Sequence, residues 1–319
     1  MTSTRPIRNV PASIHQRLLN LAHRPGIRFN LLLQRYAMER FLYRLAASSE
    51  VDRFTLKGAA LFRVWTGQEL RPTRDIDFLA SAPEDHAALR TSFEAICAVP
   101  CPQDAVIFDP ATIRMRDTRE EQPYGGVRVR MEGRLGQARL HLQVDIGFGD
   151  VITPEREERD YPTLLDLPAP RLWTYPRETL VAEKFDAMVS RGTTNTRVKD
   201  LWDIACLARR FAFDGETLRT AIEETLRRRQ TPLAGERPVA LMPGYYLDAT
   251  RAQRWHVLRG QISASADGPA LLVDAGEELL RFLGPVCDSL IEGGPFMQAW
   301  SAGGLWRQST QTEPAGDDQ

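Results

Sequence analysis

The sequence predicts an α+β protein: a small mixed β-sheet with flanking helices, followed by a C-terminal helical bundle. Three observations carry that reading. The segments GVRVRMEGRL and ARLHLQVDIGFG alternate apolar and polar residues with period two and meet at Gly136-Gln137, a hairpin signal. Two short strand-like runs, RFTLKG and RDIDFLA, flank an apolar, helix-like stretch. From about Pro176 onward, five segments repeat apolar residues at helical spacing. The expected organisation is an N-terminal helical segment (1–50), a sheet-bearing core (51–165), a C-terminal helical domain (166–300) and a flexible tail (301–319).

Taken in order, PASIHQRLLNLAHRPG offers Pro-Ala-Ser as a helix start and Pro25-Gly26 as a stop. FNLLLQRYAMERFLYRLAAS then places Leu32, Tyr36, Phe41 and Leu45 at near-helical spacing. RFTLKG reads as a strand entering a turn, AALFRVW as a short helix and RDIDFLA as a strand. EDHAALRTSFEAICAV is helical again, and the hairpin follows it. The last five helices are RETLVAEKFDAMVSR, RVKDLWDIACLARRF, GETLRTAIEETLRRR, DATRAQRWHVLRGQI and AGEELLRFLGPVCDSLI. The final Gly/Ser/Gln/Asp-rich stretch is expected to fray.

Composition sets outer bounds. With 43% hydrophobic and 26% charged residues over 319, the chain is an ordinary globular protein. A formal net charge of −1 gives no global pull toward nucleic acid or membrane, so a polyanionic partner requires a local basic patch. Four cysteines in a chain of this length make no disulfide scaffold, and Cys97 and Cys101 lack a neighbouring histidine at zinc-ligand spacing. No signal-peptide core and no bilayer-length apolar run is present, so a cytoplasmic protein without a membrane partner is expected.

The sheet region carries an acidic constellation. In a strand, residues two apart share a face at a spacing of ~7 Å. Asp75 and Asp77 therefore face one side and Ile76 and Phe78 the other. Two like charges held that close need a cation between them, and Mg²⁺ suits carboxylate oxygens while leaving sites for phosphate. In LHLQVDIGF the apolar face is Leu140, Leu142, Val144 and Ile146, which turns Asp145 outward with His141 and Gln143. Asp75, Asp77 and Asp145 are thus the expected metal ligands for a phosphoryl transfer, with Mn²⁺ as the alternative ion. The bland alternative is an exposed acidic strand end. The turn Lys57-Gly58-Ala59-Ala60 precedes an apolar helix, where glycine lets backbone N–H groups approach phosphate. Lys57, Gly58, Ala59 and the neighbouring Arg74, with Lys184 and Arg197 from the helical region, make up the expected nucleotide-binding set.

Two helices carry charges on their apolar faces. In TLVAEKFDAMVSR, Lys184 falls within the stripe of Leu180, Val181 and Met188. Either its stem snorkels or its ammonium contacts a nucleotide phosphate. In RVKDLWDIACLARRF, Asp200 projects among Leu201, Ile204, Leu207, Ala208 and Phe211, with Asp203 at the border and Arg197 on the same side. A buried aspartate must be paired, and Lys184 and Arg197 are the expected partners. Arg227, Arg228 and Arg229, near Arg209 and Arg210, form either a basic patch for an RNA backbone or a solvated helix face. Arg251 and Trp255 read as helix packing, and His141 is assigned no catalytic role.

A glycine turn, a short helix, Asp-x-Asp and a later third aspartate resemble the polymerase-β-like nucleotidyltransferase superfamily. More closely, RLLNLA, RYAMERFLYRLAAS, LKGAALF…RPTRDIDF, LVAEKFDAMVSRG, RVKDLWDI and DATRAQRWHVL resemble, in the same order, the AbiEii/AbiGii toxin family, over about Pro11 to Ile262. The family's turn commonly reads Lys-Gly-Gly-Thr, whereas Ala59 and Ala60 stand here, so a hydroxyl contact to triphosphate is lost while the backbone cradle is kept. The resemblance implies a nucleotidyltransferase core and catalytic roles for Asp75, Asp77, Asp145, Lys184, Asp200 and Asp203. It implies a toxin of a type IV toxin–antitoxin or phage-defence system, transferring a nucleotide to an acceptor such as a tRNA 3′ end. It further implies an AbiEi-like, helix-turn-helix antitoxin encoded nearby. A phosphotransferase acting on a protein or its antitoxin, and an inactive nucleotide- or RNA-binding module, are the alternatives.

Overall fold

In the computed structural model the described residues are 9–23, 28–81, 85–118, 125–233, 235–262 and 267–308. The chain forms two compact units, Met1–Asp150 with Arg156–Tyr175, and Val151–Glu155 with Pro176–Gln319. The N-terminal helices thus belong with the sheet, and the division follows Tyr175 rather than residue 165.

The first unit begins with α1 (Val10–Ala22), whose N-terminus is closed by the Asn9 side chain accepting from the Ala12 N–H at 3.0 Å. In α2 (Phe29–Ala46), Leu32, Tyr36, Phe41 and Leu45 are all buried, as their spacing requires. Then come β1 (Phe54–Lys57), α3 (Leu61–Thr66), β2 (Ile76–Ala80), α4 (His86–Ala98), β3 (Val106–Thr118), β4 (Gly126–Leu135), β5 (Ala138–Phe148), β6 (Glu157–Asp160) and β7 (Arg171–Thr174). These strands form one mixed sheet in the order β3-β4-β5-β2-β1-β7-β6. β1 runs antiparallel to β2, and β2 parallel to β5. The β4–β5 hairpin turns at Gly136, whose φ of +58° suits glycine.

β3 is a strand that the pattern did not disclose. Pro110 and a register shift between Asp109 and Arg114 interrupt its alternation. Both features are tolerated because β3 is an edge strand. The apolar face of the sheet packs on α2 and α4 through an aromatic cluster: Phe41 to Phe93 at 5.5 Å, Phe54 to Phe78 at 5.5 Å and Phe41 to Phe108 at 5.8 Å between centroids. Edge-to-face and offset pairs of this kind add about 1 kcal/mol each beyond the area they bury.

One buried charge makes this unit pH-sensitive. Glu39 is 1% exposed, with Arg40 at 3.1 Å and the Leu164 N–H donating to it. Burial pushes its carboxyl up from 4.5 to about 7, against the attraction of Arg40. Between those values the folded state holds a proton that the unfolded chain releases. Its stability contribution is therefore full below pH 4.5 and lost as pH rises through 7. That loss approaches about 3 kcal/mol at 1.4 kcal/mol per tenfold. Glu39→Gln keeps an acceptor for Leu164 without the charge. Its melting temperature relative to wild type is expected to rise between pH 5 and pH 8, and a constant difference would refute the assignment.

The second unit contains α5 (Arg177–Arg191), α6 (Val198–Arg210), β8 (Phe213–Asp214), α7 (Gly215–Arg229), α8 (Ala249–Gln261), α9 (Leu272–Glu292), β9 (Gln298–Trp300) and β10 (Trp306–Gln308). The helical expectation holds, with one addition: a three-stranded sheet, β10-β9-β8. Residues 301–308, expected in a flexible tail, are in part a strand. Trp306 fixes them, donating to the Phe282 carbonyl at 2.8 Å and meeting the Phe296 ring edge-on at 4.8 Å. Residues 309–319 of that expected tail lie outside the described residues. No helix of the described residues is long and apolar enough to cross a membrane.

Candidate active site

The pairing registers of the sheet set one row of charged side chains across five strands. Lys57 on β1 faces Asp77 on β2, Asp77 faces Asp145 on β5, Asp145 faces Arg128 on β4, and Arg128 faces Arg116 on β3. Directly opposed residues present their side chains on the same face of a sheet. The row reads plus, minus, minus, plus, plus. Ile76, Phe78, Val144 and Ile146 are buried on the other face, at 0%, 1%, 0% and 2% exposure. Apolar packing therefore forces Asp77 and Asp145 to stand side by side.

Two carboxylates on neighbouring strands about 4.8 Å apart repel by about 3.5 kcal/mol at an effective dielectric of 20. The flanking cations offset this. Arg128 grips Asp145 bidentately, with Nε to Oδ1 and Nη2 to Oδ2 both at 2.6 Å. Lys57 Nζ reaches Asp150 Oδ2 at 3.0 Å and lies 5.4 Å from the centre of the Tyr175 ring. Arg128, Asp150 and Tyr175 were not singled out from the sequence.

Gly58 has a reason for being glycine other than a phosphate cradle. Its φ is +73°, and a Cβ there would stand 2.0 Å from Asp77 Oδ2. The Asp77 carboxylate thus packs against the bare Cα of the turn. Ala59 is buried within the same turn, at 8% exposure. Arg74 is exposed, and its backbone carbonyl accepts from Gln34 Nε2 at 2.7 Å.

Asp75 lies immediately before β2, where the Thr73 hydroxyl donates to its Oδ1 at 3.1 Å. Among the described residues no group of three His, Cys, Asp or Glu side chains is placed to hold a metal ion. The expected three-carboxylate cluster is therefore not closed. Asp75 bonds to Thr73, Arg128 holds both oxygens of Asp145, and the adjacent pair is Asp77–Asp145. That pair still fits a magnesium ion, which binds through one or two carboxylates and completes its shell with water and phosphate oxygens.

In the second unit the expected pairing is present. Lys184, 8% exposed on α5, stands 2.8 Å from Asp200 Oδ1 and 2.8 Å from Asp203 Oδ2 on α6. Arg197 approaches Asp200 at 3.6 Å. Arg251 is buried as packing demands, donating to the carbonyls of Thr193, Asn195 and Tyr245. The Trp255 ring lies 5.8 Å from that of Trp202. Of the candidate basic patch, Arg229 on α7 pairs with Glu183 and Asp186, and Arg209 on α6 with Glu278 and Asp267, while Arg227 and Arg228 are exposed. His141 is exposed, 3.9 Å from Glu132.

A mixed sheet bearing adjacent aspartates between cations, with a helical second unit, is the architecture of an α+β enzyme of phosphate chemistry. Its class is nucleotidyltransferase. The profile of a family described as nucleotidyl transferase AbiEii toxin, type IV toxin–antitoxin system, matches residues 40–271, and the chain belongs to that family. Among curated proteins none matches the chain. Two solved structures are similar to it at low scores. JHP933 from Helicobacter pylori has a TM-score of 0.44 at 15% identity, covering 82% of this chain and 94% of that one. A second H. pylori protein, given as a candidate nucleotidyltransferase, has a TM-score of 0.45 at 15% identity, covering 82% and 95%.

Proposed function

We propose that this chain transfers a nucleoside monophosphate from a nucleoside triphosphate to a hydroxyl of a cellular acceptor, the 3′ end of a tRNA being the acceptor of choice. The observation that carries the reading is the row Lys57–Asp77–Asp145–Arg128. In the reaction the acceptor hydroxyl gives its proton to solvent, its oxygen bonds to the α-phosphorus, the α-phosphorus bond to the leaving oxygen breaks, and pyrophosphate departs. Such transfer is mostly positioning and charge stabilisation. Lys57 supplies a cation beside the acidic pair, and Asp145 would orient the acceptor hydroxyl. Asp77 and Asp145, with Asp75 next to them, would hold Mg²⁺ (or Mn²⁺), which supplies positive charge to the phosphate oxygens when bound. Lys184, Asp200 and Asp203 position α5 against α6.

Within a toxin–antitoxin system the activity would be restrained by an antitoxin of the AbiEi-like, helix-turn-helix kind, in the cytoplasm and in defence against phage. The test uses each α-labelled nucleoside triphosphate with Mg²⁺ and total RNA. Label is expected to enter RNA, the acceptor gaining the mass of a whole nucleotide, and Asp145→Ala is expected to lose about 100-fold. A gain of phosphate alone would make the chain a phosphotransferase. Transfer no faster than in Asp145→Ala would make it a binding module.

A further inference from the structure

The face of the sheet that carries the acidic pair continues over β5, β4 and β3 as a surface of arginines. The registers Arg114 to Arg130, Arg116 to Arg128 and Arg134 to Arg139 put six guanidinium groups on this one face. Three carboxylates share it: Asp109, Glu132 and Asp145. Arg114, Arg116, Arg130, Arg134 and Arg139 are exposed. Among the described residues Arg116, Arg134 and Arg139 make no ion pair, while Arg130 donates only to Gln143, at 3.1 Å. A chain whose net charge is −1 has therefore concentrated cations here, of which Asp145 takes Arg128.

We infer that this arginine face of β3, β4 and β5 is a binding surface for the phosphate backbone of an RNA strand. Arginines on alternate residues of a strand repeat every ~7 Å. That is about two nucleotide rises of 3.4 Å along one strand of a nucleic acid. The guanidinium fork suits phosphate oxygens. A lipid surface fits less well, because Ile107 is the single large apolar side chain exposed on this face among the described residues. The face also ends at the acidic pair, since Arg116 and Arg128 share a row with Asp145 and Asp77. A strand lying along it would carry its end to the site of transfer. This proposal rests on the nucleotidyltransferase reading for the identity of the ligand.

The test is equilibrium binding of a fluorescent single-stranded RNA 20-mer, without triphosphate or Mg²⁺, across a salt series. The variant Arg116→Gln/Arg130→Gln/Arg134→Gln/Arg139→Gln is compared with a charge-matched control on the second unit, Arg227→Gln/Arg228→Gln/Arg281→Gln/Arg307→Gln. The sheet variant is expected to bind about 100-fold more weakly. Its log–log salt slope should be shallower by about 3, at roughly 0.7 for each phosphate no longer neutralised. Wild type and the control should bind alike. Equal binding by the sheet variant, or an equal loss in the control, would overturn the proposal. So would displacement of the RNA by polyglutamate of matched charge, which would point to an acidic protein instead. A melting temperature of the sheet variant within a few degrees of wild type excludes misfolding. If RNA binding depends on these arginines while no nucleotide is ever transferred, the function fails and the surface stands.

Discussion

Gly58→Ala is expected to reduce nucleotide transfer by about 1,000-fold while the protein still folds. The argument is steric. The added Cβ would stand 2.0 Å from Asp77 Oδ2 and 2.8 Å from its Cγ, so either the turn or the carboxylate must move. Asp77 cannot easily retreat, because it faces Lys57 on one side and Asp145 on the other. Displacing a charge-stabilising group by an ångström costs roughly 100-fold, and removing it entirely costs up to ~1,000-fold. The backbone penalty is separate and smaller. An alanine held at a φ of +73° costs about 1–2 kcal/mol, which lowers the melting temperature without unfolding the unit. The measurement pairs single-turnover transfer with a thermal melt. Activity within a few-fold of wild type would show that Asp77 does not need the space glycine leaves, and the row would lose its claim to be the site.

The row was legible in the sequence only in part. Asp-x-Asp between apolar residues gave the facing of Asp77, and the alternation of LHLQVDIGF gave that of Asp145, because one buried face dictates the other. Their adjacency is a matter of sheet order, and β5 lying beside β2 is a crossover that no local pattern encodes. Arg128 stood in plain view within GVRVRMEGRL, yet its partner depended on the hairpin register. Tyr175 reaches Lys57 through the parallel β1–β7 contact, a strand of four residues too short to announce itself. The facing of Asp75 is not fixed by that alternation, for a local reason. The strand begins at Ile76, so strict alternation does not extend back to it, and Thr73 takes its carboxylate. β3 was hidden by its own edge position, which permits the proline and the bulge that erase periodicity. The α7 arginines stayed open between a basic patch and a solvated face because sequence shows charge without showing that Asp186 and Glu183 on α5 absorb Arg229.

Lys184→Met is expected to destabilise the second unit by about 3–5 kcal/mol, the cost of breaking a buried pair from one side. Methionine preserves the length of the stem and the apolar packing of α5, so what is removed is the ammonium. That ammonium is shared by two carboxylates of α6, and Asp203 is 0% exposed, so water cannot replace it cheaply. Arg197 compensates only at Asp200, from 3.6 Å and half exposed. The double variant Lys184→Met/Asp203→Asn should therefore recover part of the loss, because it removes the stranded charge along with its partner. Urea unfolding followed by fluorescence reads the effect directly, since Trp202 is fully buried on α6 beside Asp203. The same pair of variants decides what the lysine is for. If its task is to fix α5 to α6, stability and transfer fall together and return together in the double variant. If Lys184→Met keeps its stability and loses transfer, the lysine acts on the triphosphate itself and the positioning role is refuted.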